Sequence, residues 1–189
     1  MIDFADEIAY NCADLDDGYE AKLLTLAQIR EGLPFFNSLY LPLERKHPTA
    51  LEKLKFNEAL KRLMDALVTD LIETTRQRLE KLKVNSVAQV RAQATVLAGL
   101  SPASVLTGKG LKDFLSRNLY SHPQVEAERK KVTRWLERLF GFFVAHPRSL
   151  PPSYYAKTQQ QGLYRIVCDY IAGMTDDYLS EQYRKHVGE

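Results

Sequence analysis

A chain of 189 residues with 45% hydrophobic and 26% charged residues has the apolar material for a packed core and excludes an intrinsically disordered segment. Its net charge of +2 excludes both a polybasic nucleic-acid arm and an acidic tail. Two cysteines, Cys12 and Cys168, lie far apart with no CxxC pair, which excludes a disulfide framework and fits a reducing compartment.

No apolar run approaches the roughly 18 to 20 residues of a membrane span. The start has no basic segment leading into an apolar one. The expectation is a cytoplasmic protein that makes no membrane contact.

Residues 3–17 read as a helix, because Phe4, Ile8, Cys12 and Leu15 recur at spacings of four, four and three. Gly18 offers a stop. Thr25 caps a short helix over 25–31, with Gly32 beyond its end. The stretch "LPFFNSLYLPLERKHP" is aromatic and broken by proline, so it reads as a packed connector rather than a regular element. From Pro48 to about Lys83 nothing interrupts a helical pattern. Leu51, Leu54, Ala59, Leu60, Leu63, Leu67, Leu71, Ile72 and Leu79 form its apolar stripe. Such a helix is about 50 Å long and gives other helices a surface to lean on.

Asn85 and Ser86 open a shorter helical piece to about Ala94. Residues 95–106, "TVLAGLSPASVL", are ambiguous, with room for a short extended piece before a turn at Pro102. A helix then runs from Leu111 to Tyr120, and a strongly amphipathic one over 123–145. The last helix or pair covers about Lys157 to His186, with Gly173 as a break. The predicted class is all-α, a multi-helix bundle, read as one helical domain over 1–189.

The first helix is the chemically unusual one. Asp3, Asp6, Glu7, Asp14, Asp16 and Asp17 precede the first basic residue, Lys22. Asp6, Tyr10 and Asp14 stand four apart and share one face, with Asp17 three later. Ile8, Cys12 and Leu15 turn the other way, toward a core. Uncompensated carboxylates on one stripe repel by a few tenths of a kcal/mol per pair, which a metal ion or a polyol ligand relieves. A solvated acidic face near a helix start is the plainer alternative.

"FADEIAYNCADLDDGY" resembles the last motif of the HD-domain deoxynucleoside triphosphate triphosphohydrolases, the dGTPase family, whose pattern is roughly A-D-x-I-A-Y, three residues, then D-x-x-D-G. Ala5, Asp6, Ile8, Ala9, Tyr10, Asp14, Asp17 and Gly18 supply every element. "LKDFLSRNLYSHPQV" (111–125) and "RIVCDYIAGMTDDYLSEQYR" (165–184) are similar to later blocks of the same family, so the resemblance spans the chain.

The resemblance implies a fold, an activity and residue roles. Asp6 takes the place of the last ligand of a divalent metal centre (Mg, Mn, Co, Ni or Zn class) made by two histidines and two aspartates. Tyr10 packs on the deoxyribose, Asp14 accepts from a sugar hydroxyl, Lys112 approaches the phosphates and Tyr120 lies against sugar or base. The implied reaction converts a deoxynucleoside triphosphate to deoxynucleoside and triphosphate, with the metal polarising the α-phosphate and orienting a water.

Two departures matter. Ala13 stands where many members have histidine. The family's other metal ligands, a His and a His-Asp pair preceding the motif, have no counterpart: His47, His122, His146 and His186 all follow Asp6 and none is followed by Asp. One carboxylate cannot hold a catalytic metal, which takes about three protein ligands. The expectation is therefore the C-terminal portion of such an enzyme, inactive and metal-free by itself.

"TGKGLK" (107–112) lacks the spacing of a phosphate-binding loop and reads as a flexible turn before a helix. "ERKKVTRWLERLF" (128–140) carries basic residues beside Trp135, which makes single-stranded DNA a candidate partner. Glu126, Glu128 and Glu137 dilute the charge and favour a solvated face. "SYYAKTQQQGLYR" (153–165) reads as a loop packed on the core. The rival to an enzyme part is a helical oligomerisation or nucleic-acid-binding regulatory module without catalysis, in which the 48–83 helix makes a homo-oligomer contact.

Overall fold

The computed structural model describes residues 1–188, and its helices gather into two compact units, Met1–His122 and Pro123 onward. Each has its own hydrophobic core, where the sequence reading treats 1–189 as one helical domain. All regular elements among the described residues are helical, so the chain is all-α. No helix among them is long and apolar enough to cross a membrane.

The first unit is built on α1 (Ile2–Glu20), α2 (Leu26–Gly32), α3 (Pro34–Lys46), α4 (Glu52–Lys81), α5 (Val87–Arg91) and α6 (Pro102–Leu115). The last continues into a π-helical turn, Ser116–Tyr120. Ile8, Cys12 and Leu15 of α1 are buried, as their spacing predicts. They meet Phe36 and Tyr40 of α3, Phe56, Leu63 and Leu67 of α4, and Leu111, Phe114 and Leu115 of α6. Burying each such side chain is worth about 1.5–3 kcal/mol.

Helix α1 runs past Gly18 to Glu20. Gly18 serves packing instead: a Cβ there would lie 2.8 Å from Leu24 Cδ1 and 3.1 Å from Leu119 Cδ1. Helix α2 begins where Thr25 predicts it. The Thr25 side chain accepts from the Gln28 N–H, and the Gln28 side chain returns a bond to the Thr25 N–H.

The expected connector is helix α3, with Pro34 in its first turn and Pro42 inside it. An internal proline removes a backbone donor and costs about 3 kcal/mol. Burial of Phe36, Tyr40 and Leu43 along one face offsets that cost. Arg30 of α2 further pins α3 by donating to Asn37 Oδ1 at 2.9 Å and Glu44 Oε1 at 3.0 Å.

Helix α4 starts at Glu52 rather than Pro48 and is about 45 Å long. Its buried row is Phe56, Ala59, Leu63, Leu67, Leu71 and Thr75, while Leu51, Leu54 and Ile72 are exposed. Phe56, absent from the expected stripe, is wholly buried and stacks on Tyr19 at 4.1 Å.

Residues 95–100 are held to α4 by side chains rather than by a strand ladder. Gly99 N–H donates to Thr75 Oγ1 at 3.2 Å, and Arg78 reaches the Leu97 and Leu100 carbonyls at 3.4 and 3.1 Å. Helix α6 starts at Pro102, nine residues before the expected Leu111. Ser101 caps it by accepting from the Ser104 N–H, and Ser101 N–H is itself fixed by Asp70 Oδ2 at 2.8 Å. This anchored start carries the helix through Gly108 and Gly110, each costing about 1 kcal/mol relative to alanine.

The second unit contains α7 (Pro123–Ala145), a 3₁₀ turn at Pro147–Ser149, two one-turn helices, α8 (Pro152–Tyr155) and α9 (Thr158–Gln161), then α10 (Leu163–Ala172) and α11 (Asp176–His186). Its core joins Leu139 and Phe143 of α7 to Ile166, Val167 and Tyr170 of α10 and Leu179 and Tyr183 of α11. Gly173 ends α10 as predicted, and the Thr175 side chain caps α11. Tyr154 of the 153–165 stretch packs on Tyr170 at 4.9 Å.

Candidate functional site

Helix α1 packs against both α4 and α6, and its acidic side chains are compensated unevenly. Lys53 at the start of α4 reaches Asp16 at 2.7 Å and Glu20 at 2.6 Å. Tyr19 donates to Glu52 Oε1 at 2.8 Å. Asp16 and Glu20 are thus satisfied by α4, a partner invisible to any local reading of the motif.

Toward α6 the arrangement differs. The Tyr120 hydroxyl donates to Asp14 Oδ2, and Lys112 Nζ lies 3.2 Å from Glu7 Oε1. These bridges pair residues 7 with 112 and 14 with 120, so α1 and α6 run in the same direction side by side. Tyr120 comes from the π-helical turn, whose wider coil buries Leu119 and leaves Tyr120 38% exposed. Partial burial, then the hydrogen bond and charge of Asp14, push the Tyr120 phenol up to about 12.

Asp14 and Tyr120 are therefore in direct contact. Tyr10 is one turn from Asp14 and 68% exposed. Asp6 is exposed a further turn away. Neither Asp6 nor Tyr10 makes a side-chain hydrogen bond or ion pair among the described residues. Lys112 stands beside Glu7 rather than in the Asp6–Tyr10–Asp14 stripe. Lys112 and Glu7 are both largely exposed, so their attraction is weak and exchangeable with an incoming anion.

Asp14 is a half-buried carboxylate with lone pairs to spare for a further donor, and the phenol rings of Tyr10 and Tyr120 are exposed at 68% and 38%. A metal centre is a different matter. Among the described residues no three His, Cys, Asp or Glu side chains come together to ligate an ion. Asp6 offers one carboxylate, and this chain's donor set does not fit a complete centre.

The histidines lie elsewhere: His47 caps the C-terminal end of α3, and His146 and His186 each stack on Phe142 at 4.7 Å. The Cys12 thiol is buried among core side chains, and burial pushes it up to about 11, a packing role without nucleophilic character. "TGKGLK" is not a turn but part of α6. On α7, Arg129 and Lys130 approach Glu126 at 3.6 and 3.9 Å and Lys131 approaches Glu128 at 3.0 Å.

The sequence reading counted Glu7 among the acidic residues of the first helix but gave no role to Glu7, Asn11 or Lys53. Glu7 and Asn11 carry a local signal, because they sit one turn apart beside the Tyr10–Asp14 pair. Lys53 carries none, since its partners are 37 and 33 residues away.

Residues 98–185 match the phosphohydrolase-associated domain. Curated proteins named "deoxyguanosinetriphosphate triphosphohydrolase-like protein" align with nearly the whole chain. The proteins from Geobacter metallireducens, Geobacter sulfurreducens and Thiobacillus denitrificans are 34%, 36% and 38% identical over 185 residues. In each case the alignment covers 98% of this chain and 48% of the relative. The chain spans about half the length of the curated relatives it matches. With the motif on α1 and these matches over both units, the chain belongs to the deoxyguanosinetriphosphate triphosphohydrolase-like family.

Proposed function

We propose that this chain is the substrate-holding part of a metal-dependent deoxynucleoside triphosphate triphosphohydrolase and does not turn over by itself. The observation that carries this reading is the Tyr120–Asp14 hydrogen bond across α6 and α1, with Tyr10 one turn away. A carboxylate already accepting one hydroxyl is suited to accept another from a sugar, and two phenol faces suit a sugar ring. Lys112 supplies the charge for the phosphates. Asp6 contributes one ligand to a divalent ion whose remaining ligands come from outside these residues, so no chemical step is assigned to this chain.

Titration calorimetry with deoxynucleoside triphosphates tests the reading. Asp14→Asn is expected to weaken binding by about tenfold, the worth of a hydrogen bond to a charged acceptor. Equal affinity of the two chains contradicts it. The isolated chain is expected to release no triphosphate with any divalent metal added.

A second reading, a homo-oligomerising helical module, is favoured by one observation. Met64, Val68 and Ile72 stand four apart on α4 and are 38%, 37% and 52% exposed. Asp6→Ala in the complete protein separates the two: loss of bound metal and turnover supports the enzyme part, and unchanged values support the module. Single-stranded DNA, if it binds, does so on the exposed basic side chains of α7, with Arg129→Ala as its probe.

A further inference from the structure

Helices α7 and α10 leave an open groove of about 620 Å³ on the surface of the second unit. Leu136 and Phe140 line it from α7, and Cys168, Ile171 and Ala172 line it from α10. Leu136 is 36% exposed, and Cys168 and Ala172 are exposed as well. The core of the unit is complete without this face, since Leu139, Phe143, Ile166 and Val167 are at most 2% exposed. Apolar side chains that are contiguous across two helices and open to water mark a contact surface. Cys168 and Ala172, small and one turn apart, let a third helix come close.

The charges beside the groove say what kind of helix. On α7, Arg129, Thr133, Leu136 and Phe140 recur at spacings of four, three and four, so one stripe passes from a cation to apolar side chains. Arg129, Lys130, Thr133 and Arg134 line a second hollow that shares Glu137 with the first. Three cations there face one carboxylate. Arg129 and Lys130 share Glu126 at 3.6 and 3.9 Å. Arg134 has no carboxylate partner among the described residues, and its Nε donates to the Lys130 carbonyl at 3.3 Å. On α10, Arg165 and Asp169 close on each other at 2.8 Å and leave no net charge. The surface is therefore apolar where α7 meets α10 and cationic toward the start of α7. A nucleic-acid strand would use the cations, leave the apolar groove empty and set phosphates against Glu137. A helix with apolar side chains on one face and carboxylates beside them satisfies both parts.

We propose that the α7–α10 groove docks an acidic amphipathic helix of a partner protein. That helix sets its apolar face over Leu136, Phe140 and Ile171 and its carboxylates on Arg129, Lys130 and Arg134. The surface lies wholly within the second unit and is independent of the nucleotide reading of α1.

The probe is a fluorescent synthetic helix of about 14 residues, or four turns, with leucine at helical spacing and glutamate elsewhere, titrated into the whole chain by anisotropy. Arg134→Glu is expected to weaken its binding about 25-fold, which is about fivefold for each of two unit charges at about 4 Å in water. N-Ethylmaleimide alkylates the exposed Cys168 and spares the buried Cys12. The added bulk in the groove is expected to weaken binding about tenfold. A peptide of the same composition with its leucines scattered around the helix should bind about tenfold more weakly. Unchanged Trp135 fluorescence shows that the second unit stays folded after each change.

Loss through both the charge and the groove is the expected result. Binding that falls with Arg134→Glu but is indifferent to alkylation and to leucine placement is charge alone and overturns the docking site. Displacement of the peptide by oligodeoxythymidine, with alkylation leaving the oligonucleotide's affinity unchanged, marks a nucleic-acid surface and overturns it too. A dimer in sedimentation that alkylation dissociates, with no peptide bound, assigns the groove to a second copy instead. No peptide binding at all likewise overturns the proposal.

Discussion

The two units keep their helices together by different means. In the first, polar bridges join helices far apart in sequence: Lys53 to Asp16 and Glu20, Tyr120 to Asp14, Lys112 to Glu7. In the second, the ion pairs are local, Arg129 and Lys130 to Glu126, Lys131 to Glu128 and Arg165 to Asp169, each within one helical turn. Its long-range order comes mainly from rings, with Trp135 stacked on Tyr183 at 4.8 Å and Phe143 edge-on to Tyr170 at 5.2 Å, beside one polar bridge in which Arg138 donates to the Tyr183 hydroxyl at 2.7 Å. The contrast separates two jobs. Rings and leucines build a unit, while exchangeable polar bridges between two helices leave a surface that a ligand can take over.

The largest test of that contrast removes a ring. Phe143→Ala is expected to cost about 3–5 kcal/mol and to lower the unfolding midpoint followed by fluorescence. Trp135, the chain's one tryptophan, lies in the second unit and reports that core. Leu15→Ala in the first core should cost about 2–5 kcal/mol while leaving the Trp135 signal in place. A Trp135 transition that shifts equally in both variants would erase the distinction between the cores.

Next in size is Gly32→Ala. A Cβ at Gly32 would lie 2.5 Å from the Phe114 ring, so the methyl must displace a core aromatic of α6. A cost of about 1–3 kcal/mol is expected, read from denaturant midpoints.

Tyr120→Phe comes third, at about 1 kcal/mol, because its hydrogen bond to a charged acceptor is partly open to water. Its signature is a pH dependence. Folding raises this phenol from about 10 to about 12. The contribution is therefore complete below pH 10 and lost as pH rises toward 12. Absorbance titration of phenolate, wild type minus Tyr120→Phe, should show one tyrosine ionising late.

The smallest effect belongs to the second unit's surface. Lys131→Met removes an exposed pair within one helix and should change stability by no more than about 0.5 kcal/mol. A loss as large as that of Tyr120→Phe would show that local and long-range bridges are equivalent after all.

Periodicity carried the helices with regular apolar spacing. Residues 123–145 form α7 over that span, and the face of Ile8, Cys12 and Leu15 is buried. It failed where tertiary packing outweighed local preference. Pro42 lies inside α3 because Phe36, Tyr40 and Leu43 need a helix to reach the core, and α6 starts early because Asp70, 31 residues upstream, fixes Ser101. The Asp6–Tyr10–Asp14 face was legible from spacing of four alone. Which of its members meets α6 was not. That depends on the π-helical turn that presents Tyr120 and on an ion pair 105 residues apart in sequence.

The most direct measurement of the central claim is a map of backbone and side-chain NMR shifts as a deoxynucleoside triphosphate is added to the chain. The account predicts shifts concentrated at Tyr10, Asp14, Lys112 and Tyr120, and lost at the sugar end in Asp14→Asn. Shifts confined to α4 or to the second unit, or no shifts at millimolar nucleotide, would contradict it.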